Sequence, residues 1–180
     1  MLLLKVNPVG IDLPIQQTQQ KTYERLLELW GPQVKYDSYG RCYRNKTSTG
    51  FVAEVFDGGT EYKEVYADDT LDAISFFGVS DKIVSEAAST THLHWVFFVN
   101  VAQLKPQLAH RGDEEVRQDV LKAFGRASYG IFYQSTEFSI DQVLREYPGS
   151  RRDKLKDIDM QPWHCFRLNY KIIFDESKIC

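Results

Sequence analysis

The sequence predicts an α+β fold. It reads as a single domain over residues 1–180, with a mainly antiparallel sheet, three helices packed on one face and a projecting β-hairpin. Three observations lead there. Gly50 to Ala67 reads Gly-Phe-Val-Ala-Glu-Val-Phe, then Asp57-Gly58-Gly59-Thr60, then Glu-Tyr-Lys-Glu-Val-Tyr-Ala, two strand-forming runs around a link whose glycines reach the positive φ of a tight reversal. From His92 to Leu104, residues Leu93, Trp95, Phe97, Val99 and Val101 fall on one side and Val96 and Phe98 on the other, the mark of a strand buried on both faces. Three further segments carry helical periodicity between start and stop signals.

Taken in order, Leu2 to Leu4 and Val6 form a short strand, broken by Asn7-Pro8 and Gly10. Asp12-Leu13-Pro14 starts a helix, with Asp12 as N-cap and Pro14 in the tolerant first turn. Tyr23, Leu26, Leu27 and Trp30 line one face of that helix, and Gly31-Pro32 stops it. Val34 to Arg44 holds Tyr36, Tyr39 and Tyr43 around Gly40 and reads as a strand with a bend or bulge. Asn45 to Gly50 is a polar turn into the hairpin. Leu71 to Gly78 suits either a short helix or a strand, with strand the favoured reading, and Ser85 to Thr91 is a surface loop. Pro106 ends the strand that began at His92. Asp113 caps a second helix with Val116, Val120, Ala123 and Phe124 as its apolar stripe and Gly125 at its end; Glu114, Glu115 and Lys122 suit its dipole. Ser139-Ile-Asp-Gln142 is a capping box with Phe138 stapling onto Val143, and Ile140, Val143, Leu144 and Tyr147 form the buried face of a third helix ended by Pro148-Gly149. Arg151 to Asp159 is a mixed-charge loop. Trp163 to Phe174 is the last strand, alternating Phe166, Leu168, Tyr170 and Ile172.

The second arm of the hairpin alternates Tyr62, Glu64 and Tyr66 with Lys63, Val65 and Ala67, so neither face is purely apolar. Aromatics on one face and a valine on the other suit a ribbon that leaves its domain to touch a neighbour. Phe51, Val55, Tyr62, Val65 and Tyr66 are therefore the candidate subunit-interface residues. The competing reading is an edge hairpin of an ordinary sheet.

Composition narrows the chemistry. A chain of 180 residues that is 43% hydrophobic and 13% aromatic buries one core and is not intrinsically disordered. A net charge of −3 gives no broad basic face for gripping phosphate backbones. Cys42, Cys165 and Cys180 are too widely spaced for a disulfide framework or a zinc box, which points to folding in a reducing cytosol. Met-Leu-Leu-Leu is too short for a signal sequence, and no apolar run reaches the length of a membrane span, so a soluble protein is expected.

The chain carries no catalytic signature. His92 and His94 point to the same side of a strand, a spacing that metal sites use, and His164-Cys165 offers further ligands; without a carboxylate in the motif, solvated histidines are the favoured reading. Cys42 and Cys165 read as buried, neutral thiols rather than nucleophiles. Asp68, Asp69 and Asp72 imitate a magnesium cluster but suit a turn better. In Arg111-Gly112-Asp113 the aspartate reads as a helix cap. Arg151, Arg152, Lys154 and Lys156 are diluted by Asp153, Asp157 and Asp159, as on a solvated loop.

Ile11-Asp-Leu-Pro-Ile15, Tyr39-Gly-Arg-Cys-Tyr-Arg44, Gly50-Phe-Val-Ala-Glu-Val55, Glu61-Tyr-Lys-Glu-Val-Tyr66 through Phe76-Phe-Gly78, and Arg111-Gly-Asp-Glu-Glu-Val116 together cover most of the chain. In these segments it resembles the head-to-tail connector proteins of tailed bacteriophages, the neck ring and tail-terminator-like proteins, and most of all the neck rings of crAss-like phages. The resemblance implies a structural virion protein, made in the host cytoplasm, that forms a ring of commonly twelve copies between portal and tail. Its partners would be further copies of itself, the portal and other neck or tail proteins. DNA would pass through without specific binding, and neither catalysis nor a cofactor is implied. Heterologous contacts whose rotation closes give such a ring, and mild negative charge suits a channel that must not hold DNA. On the residues alone two other classes stay open: a small metal-dependent hydrolase using His92, His94 and an aspartate, and a cytosolic adaptor working as a monomer or dimer.

Overall fold

Two parallel crossovers lay out the fold in the computed structural model, which describes residues 1–56, 58, 62–65, 68–85, 88–125, 129–150 and 160–174. The elements are β1 (Leu2–Leu3), α1 (Asp12–Trp30), β2 (Tyr36–Arg41), β3 (Tyr43–Thr47), β4 (Gly50–Phe56), β5 (Tyr62–Glu64), β6 (Ala73–Ser85), β7 (Ser89–Asn100), α2 (Val101–Leu104), α3 (Asp113–Gly125), β8 (Ile131–Phe138), α4 (Ile140–Val143) and β9 (Trp163–Phe174). A six-stranded sheet runs in the order β1-β2-β6-β7-β9-β8, and a three-stranded sheet in the order β3-β4-β5. Helix α1 leads from β1 to its parallel neighbour β2, and the small sheet leads from β2 to its parallel neighbour β6. The other pairings are antiparallel. The protein is α+β, as its sequence predicts.

The two crossovers cover opposite faces of the large sheet. On the first face Ile15, Leu26 and Trp30 of α1 and Val116, Val120 and Phe124 of α3 pack on Phe77, Trp95, Phe97, Phe166 and Tyr170. The rings run across the strands in sequence: Phe77 on Trp95 at 4.2 Å, Trp95 on Phe97 at 4.8 Å, Phe97 on Phe166 at 5.0 Å, and Phe124 on Tyr170 at 4.5 Å. Asp119 ties the two helices together, accepting from the Trp30 indole at 3.1 Å and pairing with Lys105. On the second face Ala53 and Val55 of the small sheet, with Val65 just after it, meet Ile74, Phe76, Val96 and Phe98.

Several local expectations are revised. Ile11 takes the N-cap of α1 and Asp12 is its first residue, with a carboxylate held by Lys5 at 2.6 Å and Arg41 at 3.6 Å. Gly31 ends the helix at φ 105°, its N–H donating to the Leu27 carbonyl at 2.9 Å. The bend at Gly40 is a register shift between Ser38 and Arg41, after which the chain leaves the large sheet at Cys42. Residues 45–50 are mostly strand, since β3 pairs with β4 from Tyr43↔Glu54 to Thr47↔Gly50. Arg44, Asn45 and Lys46 are polar because they face solvent, and backbone pairing needs no apolar side chain. The strand from His92 ends at Asn100, whose side chain accepts from the Gln103 N–H to cap the short helix α2.

The third helix differs most. Only α4 is helical, Ser139 sits at φ 67° and its side chain makes no capping bond. Phe138 is exposed on β8 and lies beside His164 rather than stapling onto Val143. Val143, Leu144 and Tyr147 are buried as expected, but on the second face, beside the small sheet. Helices α1 and α3 already fill the first face, so the three predicted helices do not share one side.

Phe77→Ala should lower the unfolding free energy by about 3–5 kcal/mol through loss of a ring in the main stack. Ser139→Ala should change it by less than about 0.5 kcal/mol, as at a position that caps nothing. Urea unfolding of the two variants checks both.

Candidate subunit interface and the polar cleft beside it

The hairpin of β4 and β5 lies against its own domain. Strand β4 alternates so that Ala53 and Val55 face the large sheet, and Val65 joins them. Val55 and Val65 are therefore core residues, a correction to their place among the candidate interface positions. Phe51 is half-buried under the Arg44 guanidinium, 4.3 Å from the ring centroid. Tyr62 is exposed, packed at its edges by Tyr43 and Phe56. Tyr66 and the link residues Asp57, Gly59 and Thr60 lie outside the described residues. The turn after α4 holds β4 down: the Gly149 N–H donates to the Phe51 carbonyl at 2.8 Å, and a Cβ on Gly149 would stand 2.7 Å from the Gly50 carbonyl carbon. Only glycine permits that approach.

Beside this turn the second face opens into a cleft of about 590 Å³. Its floor is polar and ordered. The Tyr147 hydroxyl lies 2.9 Å from Cys42 Sγ and 3.3 Å from His94 Nε2. Gly78 makes room for them, since a Cβ there would fall 2.1 Å from His94 Nε2. Burial, with Arg167 nearby, pushes His94 down to about 3, so the ring is neutral. Burial pushes the Cys42 thiol up to about 12, which keeps it protonated and inert as a nucleophile. Arg167, also buried, pairs with Glu146 and donates from Nε to Asn169 Oδ1 at 2.7 Å. Burial is the largest single influence on the Glu146 carboxyl and raises it, but the Arg167 hydrogen bond, the nearby positive charge and a backbone hydrogen bond together outweigh it and hold the group down at about 2. Arg145 reaches Glu137 at 2.9 Å and Glu146 at 3.2 Å. Each of these charges has an opposite partner, so the cluster fastens the 144–147 turn to β9.

The proposed metal ligands are not brought together. His92 is exposed and shares a 3.1 Å hydrogen bond with Gln134, whereas His94 is buried against Tyr147. His164 lies on the other face, beside Phe166. Among the described residues no three potential ligands form a metal-holding group. Asp68 accepts from the Thr70 N–H at 2.9 Å and fixes its turn, whereas Asp72 accepts from the Lys35 N–H at 2.8 Å and ties the segment before β6 to the one before β2. Gly112, rather than Asp113, takes the position before the first turn of α3, its carbonyl accepting from the Val116 N–H at 3.0 Å. Arg151, Arg152, Lys154 and Lys156 lie outside the described residues.

A sheet surface with exposed apolar residues lies elsewhere. Strand β2 pairs with β6 only as far as Phe77, while β6, β7, β9 and β8 run on together toward Ser85, Ser89, Phe174 and Ile131. This four-stranded extension exposes Phe132 (55%), Ile83 (45%), Val84 (41%) and Ile173 (40%). Ile83 is level with Thr91, Ile172 and Ile131 on the first face; Val84 is level with Thr90 and Ile173 on the second. The run Ile-Phe-Tyr-Gln-Ser-Thr-Glu-Phe of β8 carries strand propensity, and that signal alone would have located it. The cleft had no comparable signal, because His94, Glu146 and Arg167 meet only after folding.

No family model matches the chain, and no curated protein is significantly similar to it. No helix among the described residues is long and apolar enough to cross a membrane.

The cleft predicts an acid-sensitive fold. His94 titrates near 6.5 unfolded but near 3 folded, and Glu146 near 4.5 unfolded but near 2 folded. In both cases the unfolded chain binds the proton first, so stability is full above the unfolded value and falls as pH drops toward the folded one. Denaturant midpoints should fall from pH 6.5 downward, and His94→Gln should remove the slope between about pH 6.5 and 4.5.

Proposed function

We propose that this chain is a structural subunit of a tailed-phage neck, a ring-forming connector between portal and tail through which DNA passes. The observation that supports this reading is the four-stranded extension, where large apolar side chains stand in water on both faces of a sheet. Exposed apolar clusters of this kind mark surfaces that another protein covers. The resemblance to neck ring and tail-terminator-like proteins supplies the partners: further copies of the chain, the portal and adjoining neck or tail proteins. A net charge of −3 suits the wall of a DNA channel, since a strongly basic lining would hold phosphate. Its place is then the assembled virion.

The test is the particle. Mass spectrometry of purified virions, with localised cryo-EM reconstruction of the head–tail junction, should find the chain in several copies as a ring at the neck. Particles that carry full heads and tails without this chain would refute the reading.

A further inference from the structure

Among the described residues both lateral edges of the extension are open: no strand pairs with the outer side of β6 beyond Phe77, and none pairs with the outer side of β8. Long apolar sheet edges are ordinarily covered or guarded by charge, because they invite another strand. Each edge has a register shift, between Val79 and Ile83 on β6 and between Tyr133 and Ser135 on β8. Beyond those shifts two regular three-residue stretches remain, Ile83 to Ser85 and Ile131 to Tyr133.

We propose that these two edges join different copies of this chain head to tail, β6 of one copy pairing with β8 of the next, so that the extensions form one continuous antiparallel belt. Strand direction supports the joint. The extension has four strands, each antiparallel to its neighbour, so β6 and β8 run oppositely and a copy placed alongside in the same orientation presents an antiparallel partner. Side chains match on both faces. Ile83 and Tyr133 lie on the first face, while Val84 and Phe132 lie on the second. The register that sets Ile83 opposite Tyr133 also sets Val84 opposite Phe132 and Ser85 opposite Ile131, giving an apolar cross-strand pair on each face. Relative to the levels within one copy this is a shift of two residues, about 7 Å along the strands, and closed strand belts carry such a stagger. A contact that uses two different patches is heterologous, and it closes into a ring where the rotation allows.

The joint rests on the assembly reading above, and its test is separate. Wild-type chain should assemble beyond dimers in native mass spectrometry. Val84→Lys and Phe132→Lys alter exposed positions and should melt as wild type does, yet each alone should be monomeric. Mixed in equal amounts they should give a heterodimer and nothing larger, because only one intact edge of each remains. Independently, Val84→Cys mixed with Phe132→Cys should form an intermolecular disulfide joining those two peptides under mild oxidation. A monomeric wild type would overturn the proposal. So would dimers of Val84→Lys alone, which mean β8 pairing with β8, or dimers of Phe132→Lys alone, which mean β6 pairing with β6. A chain found in virion necks that fails these tests refutes the joint and leaves the neck assignment standing.

Discussion

Strand β7 carries large apolar side chains on both faces, Trp95 and Phe97 on one and Val96 and Phe98 on the other, and both sets must be removed from water together. A single layer of helices cannot do this. The chain answers with two crossovers that leave the sheet on opposite sides: α1 over the first face and the β3-β4-β5 sheet over the second. The parallel pairing of β1, β2 and β6 follows from that choice, since each crossover returns the chain to the sheet in the direction it left. The antiparallel remainder needs only hairpins and the α3 excursion.

The second cover is smaller than the face it serves. Beyond the small sheet, α4 and the turn to Ser150 continue it, and there the packing becomes polar. Arg167 alternates with Phe166 and Leu168 along β9, so placing those two in the main core sends the guanidinium to the second face. Glu146 and Asn169 receive it. Burying a charge is tolerated only with such partners. The same turn brings Tyr147 to Cys42 and His94, and Gly78 provides the space. The polar cleft is thus explained as the seam where one cover gives way to another. Past the seam neither face is fully covered, and the extension begins.

Much of this was legible in the sequence where side-chain alternation decides the outcome. The residues that bound β9 coincide with the expected strand from Trp163 to Phe174, and the two-faced character of β7 is written in its own residues. The limits of α1 were readable from Pro14 and Gly31. What was not legible depends on neighbours. Ser139, Asp141 and Gln142 spell a helix start, yet the chain arrives from β8 at a positive φ and only one helical turn follows. The valines of the 50–67 hairpin gave no sign of facing the chain's own sheet rather than another subunit, because burial within a chain and burial between chains call for the same residues. The strongest turn signal lies in the hairpin arm. The open apolar surface belongs instead to strands whose apolar residues are few and spread over three separate segments, Ile83-Val84, Phe132-Tyr133 and Ile173.

In the proposed joint the chain meets its own copies through the outer edges of β6 and β8, while the hairpin of β4 and β5 stays within its subunit. Hydrogen–deuterium exchange, followed as the chain passes from dilute monomer to assembly, tests it most directly. The outward-pointing amides within residues 83–85 and 131–133, those not already paired to β7 and β9, should exchange rapidly in the monomer and gain protection together on assembly, with residues 50–56 unchanged. Protection gained at 50–56 and 62–65 instead, or at one edge without the other, would contradict it.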